Sequence, residues 1–198
     1  MWNQPRIQFI HQNEIQIKQE YFNTTKWGCG PDLEVVANFV FALQKYNPVK
    51  YEKHIINALS YIIKCQSKEG FWESRWYYGV FYGTYVCLRL LKDFEKEYSS
   101  NINLALEYVM ESQNEDGGFG LMKFAKSDAL STSFALLALK MYAKNNGESI
   151  IKAEDYLIKT QDKLGYWNEI DFIKPRAQEP YKSKTITTAF ALKALCQI

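Results

Sequence analysis

Three stretches of the chain repeat the same side chains at almost the same interval, and no other feature restricts its fold as much. Ala58, Tyr61 and Gln66 return as Ala105, Tyr108 and Gln113, then as Ala153, Tyr156 and Gln161, at offsets of 47 and then 48 residues. After each Gln comes a turn that ends in an aromatic: Gly70-Phe71-Trp72, Gly117-Gly118-Phe119 and Gly165-Tyr166-Trp167. A period of that length belongs to arrays of helical hairpins, in which a unit buries its apolar face only by stacking on its neighbours.

The residues ahead of each Gln fall at helical spacing. Ile55, Ile56, Leu59, Ile62 and Ile63 make one apolar stripe, and Ile102, Ala105, Leu106, Val109 and Met110 make the next. Between these amphipathic helices lie segments that are apolar nearly all round, at 35–43, 82–91, 131–139 and 188–195. A helix without a polar face has to be covered on both sides. The pattern therefore predicts an all-α protein, a partial α/α toroid with four dry helices in an inner ring and three amphipathic helices outside. Helices of about 15 residues are near 22 Å long, enough for the inner ring to enclose a cavity, and seven of them leave the ring half open. The repeat domain is set at 27–198, preceded by an extension, 1–26, packed on the repeats.

Composition narrows the partners. A net charge of +2 with Lys and Glu interspersed, and no basic stripe, argues against nucleic acid. The apolar stretches fall well short of the roughly 20 residues a bilayer span needs, which leaves room only for peripheral membrane contact. With no leader-like start, a cytoplasmic location is the default expectation. Cys29, Cys65, Cys87 and Cys196 stand singly and are read as buried reduced thiols. Aromatics make up 16% of the chain, enough either to line an apolar cavity or to fill a bulky core.

The Gln-x-x-x-Gly-x-Trp turns at Gln66 to Trp72 and Gln161 to Trp167, with Phe119 in the Trp place of the middle repeat, resemble the QW motif of the terpene cyclase and prenyltransferase superfamily. Arg75-Trp76 followed by Tyr82-Gly83-Thr84 is similar to a stretch of squalene–hopene cyclases, class II terpene cyclases, in their C-terminal part. The resemblance covers about Trp27 to the C-terminus. It implies an isoprenoid or other apolar small molecule as ligand and an isomerase or lyase type of reaction. The three Gln are read as structural, capping helix ends and turns.

In that family the reaction starts when an acid in an Asp-x-Asp-Asp motif protonates an alkene or epoxide, and this sequence contains no such motif. Placing Glu34-Val35-Val36-Ala37-Asn38 on the family's Asp-Val-Thr-Ala-His puts Glu34 at its supporting carboxylate and Asn38 where a His activates the acid. Tyr82 completes that set. Glu34 is also read as a plain charge on the first helical turn, and Asn38 cannot titrate as a His would. Phe39, Trp76, Tyr78, Phe134, Tyr181 and Phe190 are the candidate cavity residues, or else core packing. Residues 170–182, charged where the family carries cation-stabilising aromatics, depart from its pattern. No metal or other cofactor is expected, since His11 and His54 lie off the inner helices where toroid zinc ligands belong.

Together these readings give a class II cyclase-like protein that is one component of a split or assembled cyclase. It would associate with a second toroid half, a like or unlike chain carrying the acid. The alternative is a non-catalytic binding or scaffold module that uses the concave face. A third reading is a stand-alone cyclase with Asp116, Asp128 or Glu34 as its acid.

Overall fold

The structure, a computed structural model, describes residues 31–142, 147–174 and 180–196. The extension 1–26, with His11, and Cys29 fall outside the described residues. Seven α-helices lie among them: α1 Leu33–Tyr46, α2 Pro48–Lys64, α3 Phe81–Leu91, α4 Ser99–Glu111, α5 Ala129–Met141, α6 Gly147–Thr160 and α7 Lys184–Cys196.

Their packing follows the two helix types. The dry helices form a continuous arc in which α1 packs on α3, α3 on α5 and α5 on α7. The amphipathic helices lie outside it: α2 against α1, α4 against α3 and α5, α6 against α5 and α7. At the centre of the arc, every residue of α5 from Ala129 to Leu139 is buried. The terminal members differ from the all-round burial that their composition predicts. α1 buries Leu33, Glu34, Ala37 and Val40 but leaves Val35 56% and Phe39 62% exposed, and α7 leaves Leu192 45% exposed. Among the described residues each has an inner-ring neighbour on one side only.

The three turns share one construction. Gln66 Nε2 donates to the carbonyl of Gly70 within its own turn at 2.8 Å and to that of Asn101, in the first turn of α4, at 2.9 Å. Its Oε1 accepts from Asn101 Nδ2 at 2.6 Å. Gln113 likewise donates to Gly117 and to Ser149, in the first turn of α6, both at 2.9 Å. Each Gln thus ties its own hairpin to the next outer helix, filling carbonyls left open where helices end. Among the described residues Gln161 makes only the internal bond, to Gly165 at 2.9 Å, and it is exposed. The Gly positions show the same difference. All three have positive φ, but a Cβ on Gly70 would sit 2.4 Å from Leu104 O and one on Gly117 2.5 Å from Lys152 O. On Gly165 it would meet nothing nearer than 4.0 Å.

The aromatic that ends each turn is tied to the next inner helix through its backbone, and the two Trp rings are tied back to the outer helix as well. Trp72 Nε1 donates to Ile62 O at 2.8 Å and Trp167 Nε1 to Leu157 O at 2.9 Å. The backbone N–H of Trp72, Phe119 and Trp167 reaches Thr84, Thr132 and Thr188 Oγ1, each on the following inner helix, at 3.0, 2.9 and 3.1 Å. The outer helix, the turn and the next inner helix are therefore locked as one unit.

One element lies outside the helical pattern. β1, Asp171–Ile173, pairs antiparallel with β2, Tyr181–Lys182. This ribbon lies on the loop before α3: Tyr78 N donates to Phe172 O and Lys174 N to Trp76 O, both at 2.8 Å. Of the thiols expected to be buried, Cys87 is; Cys65 and Cys196 are exposed, because each closes the open end of a helix.

Candidate functional site on the inner helices

Glu34, Asn38 and Tyr82 come together across α1 and α3. Glu34 is buried, 1% exposed, yet its carboxylate meets backbone donors instead of Asn38: Oε1 accepts from Trp76 N at 2.9 Å and Oε2 from Arg75 N at 3.4 Å. A buried charge needs such partners, and here they hold the loop ahead of α3. Asn38 Nδ2 donates to Glu34 O, one turn back, at 2.8 Å and to the Tyr82 hydroxyl at 3.4 Å. Its Oδ1 accepts from the Arg89 guanidinium. Burial, with the nearby Tyr77 and Glu34, pushes the Tyr82 phenol up; the Asn38 bond and Arg89 oppose this without reversing it. Tyr82 is therefore a neutral hydroxyl at physiological pH.

Beside this network the inner helices build an aromatic wall. Tyr82 lies edge-on to Tyr77 at 4.5 Å, to Phe134 at 5.1 Å and to Phe172 at 5.4 Å. Phe134 continues the wall to Phe190 at 4.6 Å and to Tyr85 at 6.2 Å. Of the cavity candidates, Phe134 and Phe190 belong to this cluster. Trp76 is half-buried on the loop that Glu34 holds, and Tyr78 follows it, held through its backbone to Phe172. Phe39 and Tyr181, at 62% and 53% exposed, stack on no ring of the cluster among the described residues and present open surface.

Phe172 was not singled out by the sequence, which reads 170–182 as a charged departure from the family pattern. Alternation places it: Asp171 is exposed, Phe172 buried and Ile173 half-buried along β1, so one aromatic enters from an otherwise polar segment. It stacks on Tyr77 at 4.5 Å.

The other carboxylates considered as acids hold the middle turn. Asp116 Oδ1 accepts from Gly118 N at 2.9 Å and Ser127 Oγ at 2.7 Å. Asp128 caps α5, accepting from Ser131 N at 2.7 Å, with burial raising its carboxyl above the ordinary range. Burial and these two charges together push Tyr156, on the outer helix α6, up to about 12. His54 is exposed on the outer helix α2.

An arc of dry helices lined with aromatics, backed by an outer layer and joined by Gln-and-aromatic turns, defines the class: an α/α toroid of the terpene cyclase superfamily. The sequence profile of the squalene–hopene cyclase C-terminal domain matches residues 29–195, and the chain belongs to that family. Over 152 residues it is 31% identical to the squalene–hopene cyclase of Bradyrhizobium diazoefficiens, a match covering 70% of this chain and 23% of that protein. It is 29% identical over 91 residues to the terpentedienyl-diphosphate synthase of Kitasatospora griseola, covering 44% and 18% of the two chains. The chain thus spans less than a quarter of these relatives. Among solved structures, the type II terpene cyclase MstE from Scytonema superposes with a TM-score of 0.70 at 18% identity, over 93% of this chain and 59% of that one. A variant of MstE was solved with geranylgeranyl dihydroxybenzoate as substrate.

Proposed function

We propose that the chain handles an isoprenoid on its concave inner face as one component of a class II cyclase, with the initiating acid supplied by a second toroid half. Glu34, Asn38 and Tyr82 flank that acid, and the aromatic wall stabilises positive charge as it moves along the substrate. Each ring in cation–π contact contributes roughly 0.5–2 kcal/mol, so Tyr77, Tyr82, Phe134, Phe172 and Phe190 matter as a set. Glu34 acts by positioning: it holds the loop carrying Trp76. Tyr82 offers a neutral hydroxyl to the acid, and the Asn38 amide orients it.

The observation that carries the reading is the meeting of Asn38 and Tyr82 with the aromatic wall across α1, α3, α5 and α7. Gln66 and Gln113 each reach an outer helix of the next hairpin, whereas among the described residues Gln161 and Gly165 meet none. A second half-ring, whether another copy of this chain or an unlike one, is one source of a helix that would complete the third turn.

The test pairs assembly with chemistry. Purified chain is incubated alone and with a candidate acid-bearing partner, using geranylgeranyl diphosphate, farnesyl diphosphate and squalene, and products are read by gas chromatography and mass spectrometry. Cyclic product is expected only with the partner; product from the chain alone would sink the split reading. A second reading, a non-catalytic module using the same face, is favoured by the carboxylate of Glu34, already committed to two backbone donors. Tight isoprenoid binding with no product under any pairing would select it.

A further inference from the structure

Arg89 lies in the last turn of α3, two turns beyond Tyr82 and on the same face of the helix. Asn38, on α1, bonds to both: its Oδ1 accepts from the Arg89 guanidinium and its Nδ2 donates to the Tyr82 hydroxyl at 3.4 Å. The guanidinium also lies over the Phe41 ring, with Cζ 4.3 Å from the centroid, and its buried Nε has no hydrogen-bond partner. Lysines in the last turns of the neighbouring inner helices are neutralised, Lys45 by Asp93 and Lys140 by Glu154. Among the described residues no carboxylate pairs with Arg89, and the Asn38 oxygen is its hydrogen-bond acceptor.

A guanidinium only donates, so only the oxygen of the Asn38 amide can face it. The carbonyl of Glu34 imposes the same choice from the other side, because it only accepts, and Asn38 Nδ2 reaches it at 2.8 Å. Two independent contacts therefore fix the amide with its NH2 toward Tyr82. A hydroxyl that accepts from Asn38 turns its own hydrogen elsewhere, and among the described residues that hydrogen meets no acceptor. Rings surround Tyr82 instead, with Tyr77, Phe134 and Phe172 at 4.5, 5.1 and 5.4 Å between centroids. Arg89, Asn38 and Tyr82 thus form a row of donors that all point one way, in which each bond polarises the next. The first carries a permanent charge, and the second does not titrate. The charged or ionisable groups that act on Tyr82 are Arg89 on its own helix, Glu34 on α1 and Tyr77 on the loop ahead of α3; α5 and α7 bring the Phe134 and Phe190 rings, and Lys193 of α7 bonds Tyr85 instead.

We propose that Arg89 is a positioning residue: by locking the Asn38 amide it makes the Tyr82 hydroxyl an obligate donor toward the carboxylate of the initiating acid. A donor bond and a nearby cation both favour the ionised carboxylate, so the acid gives up its proton more readily, as protonation of a base as poor as an alkene requires. This deepens the proposed function and rests on it for the acid that accepts the bond, not for the order of the donors.

The donor order is read on the purified chain labelled with fluorotyrosine, whose phenol ionises at lower pH than that of tyrosine, by fluorine NMR titration. Tyr82→Phe assigns the signal. Arg89→Met should make the Tyr82 phenol about tenfold harder to ionise, and clearly less so in an Asn38→Ala background, where the row is already cut. Asn38→Asp keeps an acceptor for Arg89 and should keep the fold, checked by circular dichroism. It replaces the donor facing Tyr82 by a carboxylate, so the Tyr82 hydroxyl turns to that carboxylate and ionises later than in wild type. In the assembled cyclase, Arg89→Met and Asn38→Asp should each lower kcat about tenfold or more with KM little changed. An unshifted Tyr82 in Arg89→Met, or an equal shift with and without the Asn38 amide, overturns the positioning role and leaves the isoprenoid reading standing. A Tyr82 that ionises as readily in Asn38→Asp as in wild type overturns it equally, whether or not Arg89→Met folds. The expected shifts, with no cyclic product from wild type and any partner, support the donor order and overturn the cyclase reading.

Discussion

If the Gln residues are clamps between hairpins, replacing each by Ala should cost in proportion to the bonds it makes to the next unit. Gln66 makes three: to Gly70 O, to Asn101 O and from Asn101 Nδ2. At a net worth of about 0.5–1.5 kcal/mol per bond, its removal should cost about 2–4 kcal/mol. Gln113 makes two, for about 1–3 kcal/mol, and the single exposed bond of Gln161 should be worth about 0.5 kcal/mol or less. A parallel series tests the same geometry by steric means. Gly165→Ala has only the left-handed backbone to contend with, about 1–2 kcal/mol, since the space beside it is open. Gly70→Ala and Gly117→Ala add a Cβ overlapping Leu104 O and Lys152 O, so both should cost clearly more. Urea unfolding followed by far-ultraviolet circular dichroism and by tryptophan fluorescence gives the free energies, with coincident transitions as the test of two-state behaviour. Equal costs at the three Gln positions, or a Gly165→Ala variant as damaged as Gly70→Ala, would refute the clamp. If a second toroid half binds, the Gln161→Ala cost should reappear as weakened association.

Three further outcomes follow from the same structure. Asp128→Ala should lose about 1 kcal/mol of stability as α5 loses its cap, whereas Asp128→Asn keeps the cap and removes a buried charge. Burial raises the Asp128 carboxyl above its ordinary 3.8, so its contribution is largest in acid and declines as pH rises through the folded value; Asp128→Asn should match or exceed wild type at pH 7 by urea unfolding. Trp72→Phe deletes the indole N–H bond to Ile62 O in a fully buried site and should cost about 2 kcal/mol; a loss indistinguishable from zero would make that bond idle. Tyr156, pushed up to about 12, should ionise late in an ultraviolet titration compared with Tyr156→Phe, and the stability tied to its neutral form should fall between pH 10 and 12.

Much of this architecture could be read from spacing because it is periodic. The Gln, Gly and aromatic positions recur together, and each serves the same local geometry in every repeat, so one inference covered three turns. The Thr residues that receive the turn N–H groups were visible only as parts of longer motifs. Thr84, Thr132 and Thr188 lie 12, 13 and 21 residues after the aromatic they pin, and loop lengths that vary hide such a partner. The ribbon was hidden for a different reason. Two strands of three and two residues carry too few alternations to register against a charged loop, so nothing in the sequence marks Phe172 as a buried ring. The grouping of Glu34, Asn38 and Tyr82 is implied by the resemblance to the cyclase motif, but the direction of the Glu34 carboxylate is not. It depends on where the 75–76 peptide lies, which helical periodicity does not specify.

The two ends of the arc differ from its centre in how far their apolar faces are covered. A dry helix is stable in water only if both flanks are covered. The centre, α5, meets that condition, whereas among the described residues α1 leaves Val35 and Phe39 exposed and α7 leaves Leu192 exposed. Gln161 and Gly165 beside α7 fit the same pattern, because each earlier hairpin offers its turn a first-turn carbonyl of the next outer helix. The third turn is therefore shaped to receive one more outer helix, whether from the same chain or from a second one. Weakened association in Gln161→Ala, with no loss of stability in the isolated chain, would assign that helix to a second half-ring.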